Sequence, residues 1–292
     1  MPGKLAGHGL RFTDHVRHAY WSAFRNGCVT TAKAAAYSAV FAIFPALLVA
    51  AACVTLLPDF APLRVELAVF FNRVLPESVA PLLEDFFINA DKSPQSTSVL
   101  VGAATVSFTG AAGVIGTLME GFRRAYDLPM DAWGQIQRRV RSHVLLLISF
   151  IPITIASVLV IFGHYITLWV MEWQRPELTT AFYVVANLLR WMIALGAMIS
   201  MLAVIYRFGV PKKLRWREVF PGAAFATVTW FFTALGFGWY VTHFANYSRV
   251  YGSLGTGIVL MVWLFLTALS VLCGAELNAE LFQKKKPERA RR

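Results

Sequence analysis

An apolar run from Ile258 to Cys273, interrupted only by Thr267 and Ser270, limits most sharply what this chain can become. As a helix rising about 1.5 Å per residue, residues 255–282 reach across the roughly 30 Å hydrocarbon layer of a bilayer. A soluble core helix rarely needs so long an uncharged stretch. The run opens on a glycine-rich turn, Tyr251-Gly252-Ser253-Leu254-Gly255-Thr256-Gly257, and closes on Gly274-Ala275-Glu276-Leu277-Asn278-Ala279-Glu280. Gln283-Lys284-Lys285-Lys286 follows, a basic stop expected on the cytoplasmic side.

The rest of the chain repeats this character. Its 292 residues are 57% hydrophobic and 15% charged, against about 25% charged in ordinary soluble domains. Six apolar segments, at about 32–57, 98–119, 144–170, 181–206, 219–243 and 255–282, predict an all-α polytopic membrane protein. A single transmembrane domain over residues 1–283 is followed by a basic tail, 284–292. Pro45 and Pro152 fall inside the first and third spans, where each removes a backbone bond and is expected to kink the helix. The second span is rich in small residues; Ala103-Ser107-Ala111 and Ala112-Gly116 are pairs that let helices approach closely, and the span is expected inside the bundle.

Outside the spans, Phe12, Val16, Tyr20 and Phe24 recur four apart among Arg11, Arg17 and Arg25. This is a basic amphipathic helix over 11–27, suited to lying on an anionic leaflet or packing on the first spans. Residues 60–90 carry two further helical patterns and predict amphipathic helices on the outer face. Cys28, Cys53 and Cys273 lie in or beside apolar segments without pairing or metal spacing, and read as small core residues. A cleavable leader is not expected, because the first apolar run starts only after about 30 polar and amphipathic residues.

Charge placement sets the orientation. Residues 1–33, 120–143, 207–218 and 284–292 hold 21 of the 27 Lys and Arg. The alternating connections 58–97, 171–180 and 244–253 hold 5, and Arg190 is the last. The positive-inside rule then puts both termini in the cytoplasm. The formal net charge of +11 reads as orientation and contact with anionic headgroups at the cytoplasmic face, with no nucleic-acid partner.

Several short motifs together resemble the YihY/BrkB family of bacterial inner-membrane proteins. They are Ala35-Ala36-Tyr37-Ser38 with Phe44-Pro45, Arg123-Arg124-Ala125-Tyr126, Tyr206-Arg207, Pro221-Gly222-Ala223, Asn246-Tyr247-Ser248 before Tyr251-Gly252-Ser253-Leu254-Gly255, and the closing Gly274-Ala275-Glu276-Leu277-Asn278. The resemblance spans about residues 20–282. Two places depart from it: Phe208-Gly209-Val210 separates Tyr206-Arg207 from Pro211, and Phe108-Thr109 stands where the family carries Trp. The resemblance implies a six-span inner-membrane bundle tied to envelope integrity and to transport of a lipid or envelope precursor. Members also carry the label ribonuclease BN. The sequence argues against that chemistry, since a hydrolytic metal site needs clustered ligands and His8, His15, His18, His143, His164 and His243 are scattered. No catalytic residue, metal or cofactor is expected.

Arg190 is the main anomaly, a charge about 14 Å into the fourth span by helical rise. It reads either as a ligand for an anionic headgroup or phosphate, or as an arginine that snorkels outward or bonds backbone carbonyls. His164, Asn187, His243 and Tyr251 belong toward the same outer side and are candidates for a shared substrate cavity. Lys33 and Glu276 are expected at one cytoplasmic depth, as a gate, a proton-coupling group or a structural ion pair, with Asn278 as partner or helix-end polar group. The glycine turn lacks the Lys-Ser/Thr ending and preceding strand of a phosphate loop, and His164 and His243 alone suit interfacial hydrogen bonding. Two functions follow: a carrier or flippase of an anionic lipid or lipid-linked precursor, or a non-transporting scaffold for envelope integrity, virulence or serum resistance. The sequence leaves the energy source and any homo-oligomer open.

Overall fold

The structure, a computed structural model, describes residues 3–55, 97–173, 176–243 and 253–282. Every regular element among them is helical: α1 Gly3–Arg25, α2 Cys28–Thr55, α3 Thr97–Ala125, α4 Gln135–Trp173, α5 Pro176–Phe208, α6 Trp216–His243 and α7 Ser253–Phe282, with a 3-10 turn at Met130–Ala132. Five helices carry a segment long and apolar enough to cross a membrane: Val101–Ala125, Gln135–Ala156, Val184–Phe208, Trp216–Val241 and Gly257–Phe282. In α2 the apolar stretch Cys28–Ile43 is shorter. The helices expected at 60–90 and the tail at 284–292 lie outside the described residues.

The helices outrun the apolar segments. α3 continues to Ala125 and α4 begins at Gln135, so Arg138, Arg139 and Arg141 are helical and not part of a connecting loop. Gln, Arg and Ile are sound helix formers, and nothing obliges a helix to stop where hydropathy does. α2 and α4 run on through Pro45 and Pro152.

Local chemistry explains the ends. α1 closes on Gly27, whose φ of 71° suits a residue without a Cβ. At the end of α3, Asp127 takes φ 47° and the Leu128 N–H donates to the Arg123 carbonyl at 3.0 Å, closing the last turn. At the start of α6, Glu218 reaches back so that its Oε2 accepts the Arg215 N–H at 3.0 Å, satisfying a donor that a helix start leaves unpaired.

Helix α1 does not bury its aromatic stripe. Ala19, Ser22 and Ala23 are buried, while Tyr20, Trp21 and Phe24 are exposed. Where the surroundings include lipid, small residues pack helix on helix and bulky ones face outward.

The described helices group into two compact units. The first comprises Met1–Cys28, Met119–Trp230 and Ser270–Arg292. Its centre is Phe122 edge-on to Tyr206 (ring centroids 5.2 Å apart, planes at 82°), among buried Met119, Val219, Leu272 and Leu277. In this unit α4 and α5 pack on each other. The second comprises Val29–Leu118 and Phe231–Leu269. Small residues dominate its core, with Ala32, Ala35, Ala36, Ala42 and Ala112 buried. At Gly110 an added Cβ would meet that of Ala42 at 2.9 Å, so α2 and α3 approach almost to backbone contact. The expectation that the small-residue span is buried holds for one face, Ala112, Ile115, Leu118 and Met119, while Gly113 is exposed. Earlier in the span, Val101 and Val106 are exposed.

Candidate functional site

The polar groups that hold the first unit together converge on the last turns of α7, inside its candidate span. Asn278 is fully buried. Its Oδ1 accepts the Gly222 N–H at 2.7 Å and its Nδ2 donates to the Val219 carbonyl at 3.1 Å. One side-chain amide thus bonds two backbone groups of α6. This bond pair exists because the helices touch: a Cβ on Gly274 would lie 2.5 Å from both the Gly222 carbonyl oxygen and Tyr206 Oη, and one on Gly222 would run into Gly274 and Asn278. Tyr206 Oη in turn donates to the Val271 carbonyl at 2.6 Å. In a medium as apolar as the side chains, such close packing and interhelical hydrogen bonds supply the specificity that hydrophobic burial supplies in water.

Glu276 is 2% exposed. Its Oε1 accepts from Asn26 Nδ2 at 2.8 Å and from the Cys28 thiol, with Sγ at 3.6 Å. Asn26 and Cys28 flank the turn at Gly27 that ends α1, so the carboxyl ties the N-terminal helix to the last one. A second acidic centre stands at the end of α3. Glu120 binds Arg123 with both oxygens (2.7 and 3.0 Å), Arg124 at 3.3 Å and Arg138 at 3.5 Å. Arg123 also donates to the Leu128 carbonyl, which ties the turn after α3 to the helix. Beside it Tyr126 lies outside the candidate spans, and burial pushes its phenol up from the ordinary value, keeping it neutral.

The predicted residues fall as follows. Arg190 lies on α5 inside the candidate span Val184–Phe208. Its Nε is buried while Leu188, Leu189, Trp191 and Met192 are exposed. Asn187, one turn earlier, is exposed. His243 is exposed at the end of α6; its Nδ1 lies 3.0 Å from the Trp239 carbonyl and its ring stacks on Trp239. Lys33 is exposed on α2 and belongs to the second unit, whereas Glu276 and Asn278 belong to the first. The His164 side chain and Tyr251 lie outside the described residues. Of the candidates, Glu276 and Asn278 share one buried stretch of α7. Asn26 and Cys28, which bond Glu276, were not among the sequence candidates. A polar residue at the helix-ending Asn26-Gly27 pair was the available signal. Among the described residues no group of three or more His, Cys, Asp or Glu side chains is arranged to hold a metal ion.

Relatives are numerous. YfkH of Bacillus subtilis, named a ribonuclease-like protein, is 32% identical over 60% of this chain and 63% of its own length. A UPF0761 membrane protein of Alteromonas mediterranea is 28% identical over 88% of this chain and 85% of the relative. Another, from Aeromonas salmonicida, is 27% identical over 98% and 96%. No solved structure matches the chain. The family described as Virulence factor BrkB matches residues 20–292, a stretch that takes in the helix junction at Asn26, the Glu120 cluster and the Gly222–Gly274 crossing. This chain, a multi-pass membrane protein, belongs to the BrkB family.

Proposed function

We propose that this protein is a carrier of an anionic amphiphile, a lipid or lipid-linked envelope precursor, in a bacterial inner membrane, and that it serves envelope maintenance without catalytic activity of its own. In this reading α2 is the first of six spans, residues 60–90 form amphipathic helices on the outer face, and both termini are cytoplasmic. The 21 Lys and Arg in the regions assigned to the cytoplasm meet anionic headgroups there. Exposed Trp21 and Phe24 beside Arg17 and Arg25 on α1 suit a helix lying at that surface.

Arg190 carries the reading. A guanidinium within a membrane span is expensive, and such residues face the protein interior or a water-filled path. Its Nε is buried while its sequence neighbours point outward, which supports an inward-facing cation able to hold a phosphate or carboxylate with two N–H bonds. The test is Arg190→Ala in cells lacking the endogenous protein. Membrane insertion should stay normal, protection of the envelope should be lost, and Arg190→Lys should restore only part of it. Normal protection by Arg190→Ala ends the carrier reading.

A scaffold role is the second reading, favoured by the Gly222–Gly274 crossing, where the buried Asn278 bonds two backbone groups. It predicts that co-purification of a partner tracks protection while the pure protein moves no labelled phosphatidylglycerol between leaflets of vesicles. Under either reading the pure protein leaves RNA intact with Mg²⁺ or Mn²⁺ present.

A further inference from the structure

The basic link between α5 and α6 does more than set orientation. With the start of α4 it lines an open cavity of about 490 Å³, whose wall includes Arg141, Arg207, Lys212 and Lys213 together with Trp133 and Phe208. Among the described residues no acidic side chain lines it, and none of the four cations has a carboxylate oxygen within 4.0 Å. Glu218 lines a neighbouring cavity of about 350 Å³ that shares Lys212 and Lys213 with the first, and its Oε2 is occupied by the Arg215 N–H.

The two guanidiniums are held by rings. Arg207 sits 4.4 Å from the Trp216 ring centre and 5.6 Å from that of Phe208, and Arg141 sits 4.5 Å over Trp133. Stacking occupies the flat face of a guanidinium and leaves its in-plane N–H edge suited to a two-pronged bond with an oxyanion. Four like charges around one hollow repel one another, and an anion of more than one negative charge relieves this. The cavity also lies at a defined level: Phe208 ends one candidate span, Trp216 begins another and Arg141 is near the start of a third. Span ends are where lipid phosphates lie.

The geometry points to a binding site for a phosphate group in this cavity, presented by a lipid headgroup or by free phosphate, with Arg141, Arg207, Lys212 and Lys213 as its ligands. It does not use Arg190, which carries the carrier reading; it shares with that reading only the placing of the basic segments at a headgroup surface, and it holds for a scaffold equally.

The full chain in phosphatidylcholine nanodiscs provides the test. One arm adds phosphatidylglycerol to the nanodiscs and reads retained lipid by native mass spectrometry. The other titrates inorganic phosphate by calorimetry. Saturable binding in the first arm alone identifies a headgroup site, and saturable binding in the second identifies free phosphate; either supports the proposal. Arg207→Gln with Lys212→Gln should weaken binding about 30-fold, at about fivefold per cation near the surface. The charge-matched pair Arg139→Gln with Arg217→Gln, both exposed and outside the lining, should stay within about twofold. If replacing Arg207 disturbs folding, Arg141→Gln with Lys213→Gln spares the Trp216 stack and should show the same loss. Binding of neither probe by the unsubstituted protein, or equal weakening by the charge-matched pair, overturns the proposal.

Discussion

Asn26 donates a hydrogen bond of 2.8 Å to Glu276 across 250 positions of chain, joining the end of the first helix to the last turns of the final one. The acceptor is one carboxyl oxygen, and the Cys28 thiol approaches the same atom. Oxygen as an acceptor is what this junction uses, so an amide should replace the acid with little loss. Glu276→Gln should change the unfolding free energy in detergent by less than about 1 kcal/mol. Glu276→Ala leaves Asn26 without its acceptor and should lose about 1–3 kcal/mol. A Gln variant as unstable as the Ala variant would show that the negative charge itself holds the junction.

The crossing of α6 and α7 should be the least forgiving place for added volume. Gly274→Ala puts a methyl group against Tyr206 Oη, the Gly222 carbonyl and Ala226, and should destabilise by about 1–3 kcal/mol through overpacking. Gly236→Ala meets open space on α6 and should be neutral or stabilising by about 0.5–1 kcal/mol, because alanine favours the helix. Thermal unfolding of the two variants in one detergent makes the comparison. Equal melting temperatures would contradict the close approach.

Asn278 tests the same contact from its polar side. Replacing it with Leu keeps the volume but strands the Gly222 N–H and the Val219 carbonyl. The expected loss is about 1–3 kcal/mol for each polar group left without a partner, reduced where the helix re-bonds it. Hydrogen exchange should also speed up in residues 219–223 before it does elsewhere in α6.

Glu120 should act as the counter-charge for three arginines. Glu120→Gln leaves Arg123, Arg124 and Arg138 facing a neutral amide. Because this cluster is partly exposed, the loss should be modest, about 1–2 kcal/mol, and should shrink as salt rises. A loss that does not respond to salt would point to hydrogen-bond geometry in place of charge.

Cys28 and Cys273 are buried thiols, and buried thiols in apolar surroundings are inert. In a Cys53→Ser background, a membrane-permeant maleimide should label neither in the folded protein and both after SDS. Rapid labelling of either without denaturant would show that the first unit opens readily.

The reach of the sequence can be judged element by element. Helix α7 was legible because an apolar run of that length has one economical solution in a bilayer. The extension of α4 down to Gln135 was not, since hydropathy marks where lipid ends and is blind to a helix that continues into the headgroup zone. On α1 the four-residue spacing of Tyr20 and Phe24 marked a real face and left two roles for it, packing on the spans or lying on a leaflet; Tyr20 and Phe24 are exposed, and the buried face is the one with Ala19 and Ala23. A rule tuned to water assigns bulky residues to the inside, and lipid removes the reason. Glu276 was visible as a misplaced acid, but its partner at Asn26 was not. Periodicity shows which face a residue occupies and carries no information about which distant helix lies against that face.

Backbone contact at Gly222 and Gly274 has a mechanical consequence. With the Asn278 amide bonded to two adjoining turns of α6, neither rod can slide or spin past its neighbour at that point without breaking both bonds. The start of α6 and the end of α7 must therefore travel as a single lever, and any stroke the protein makes has its fulcrum somewhere other than this weld.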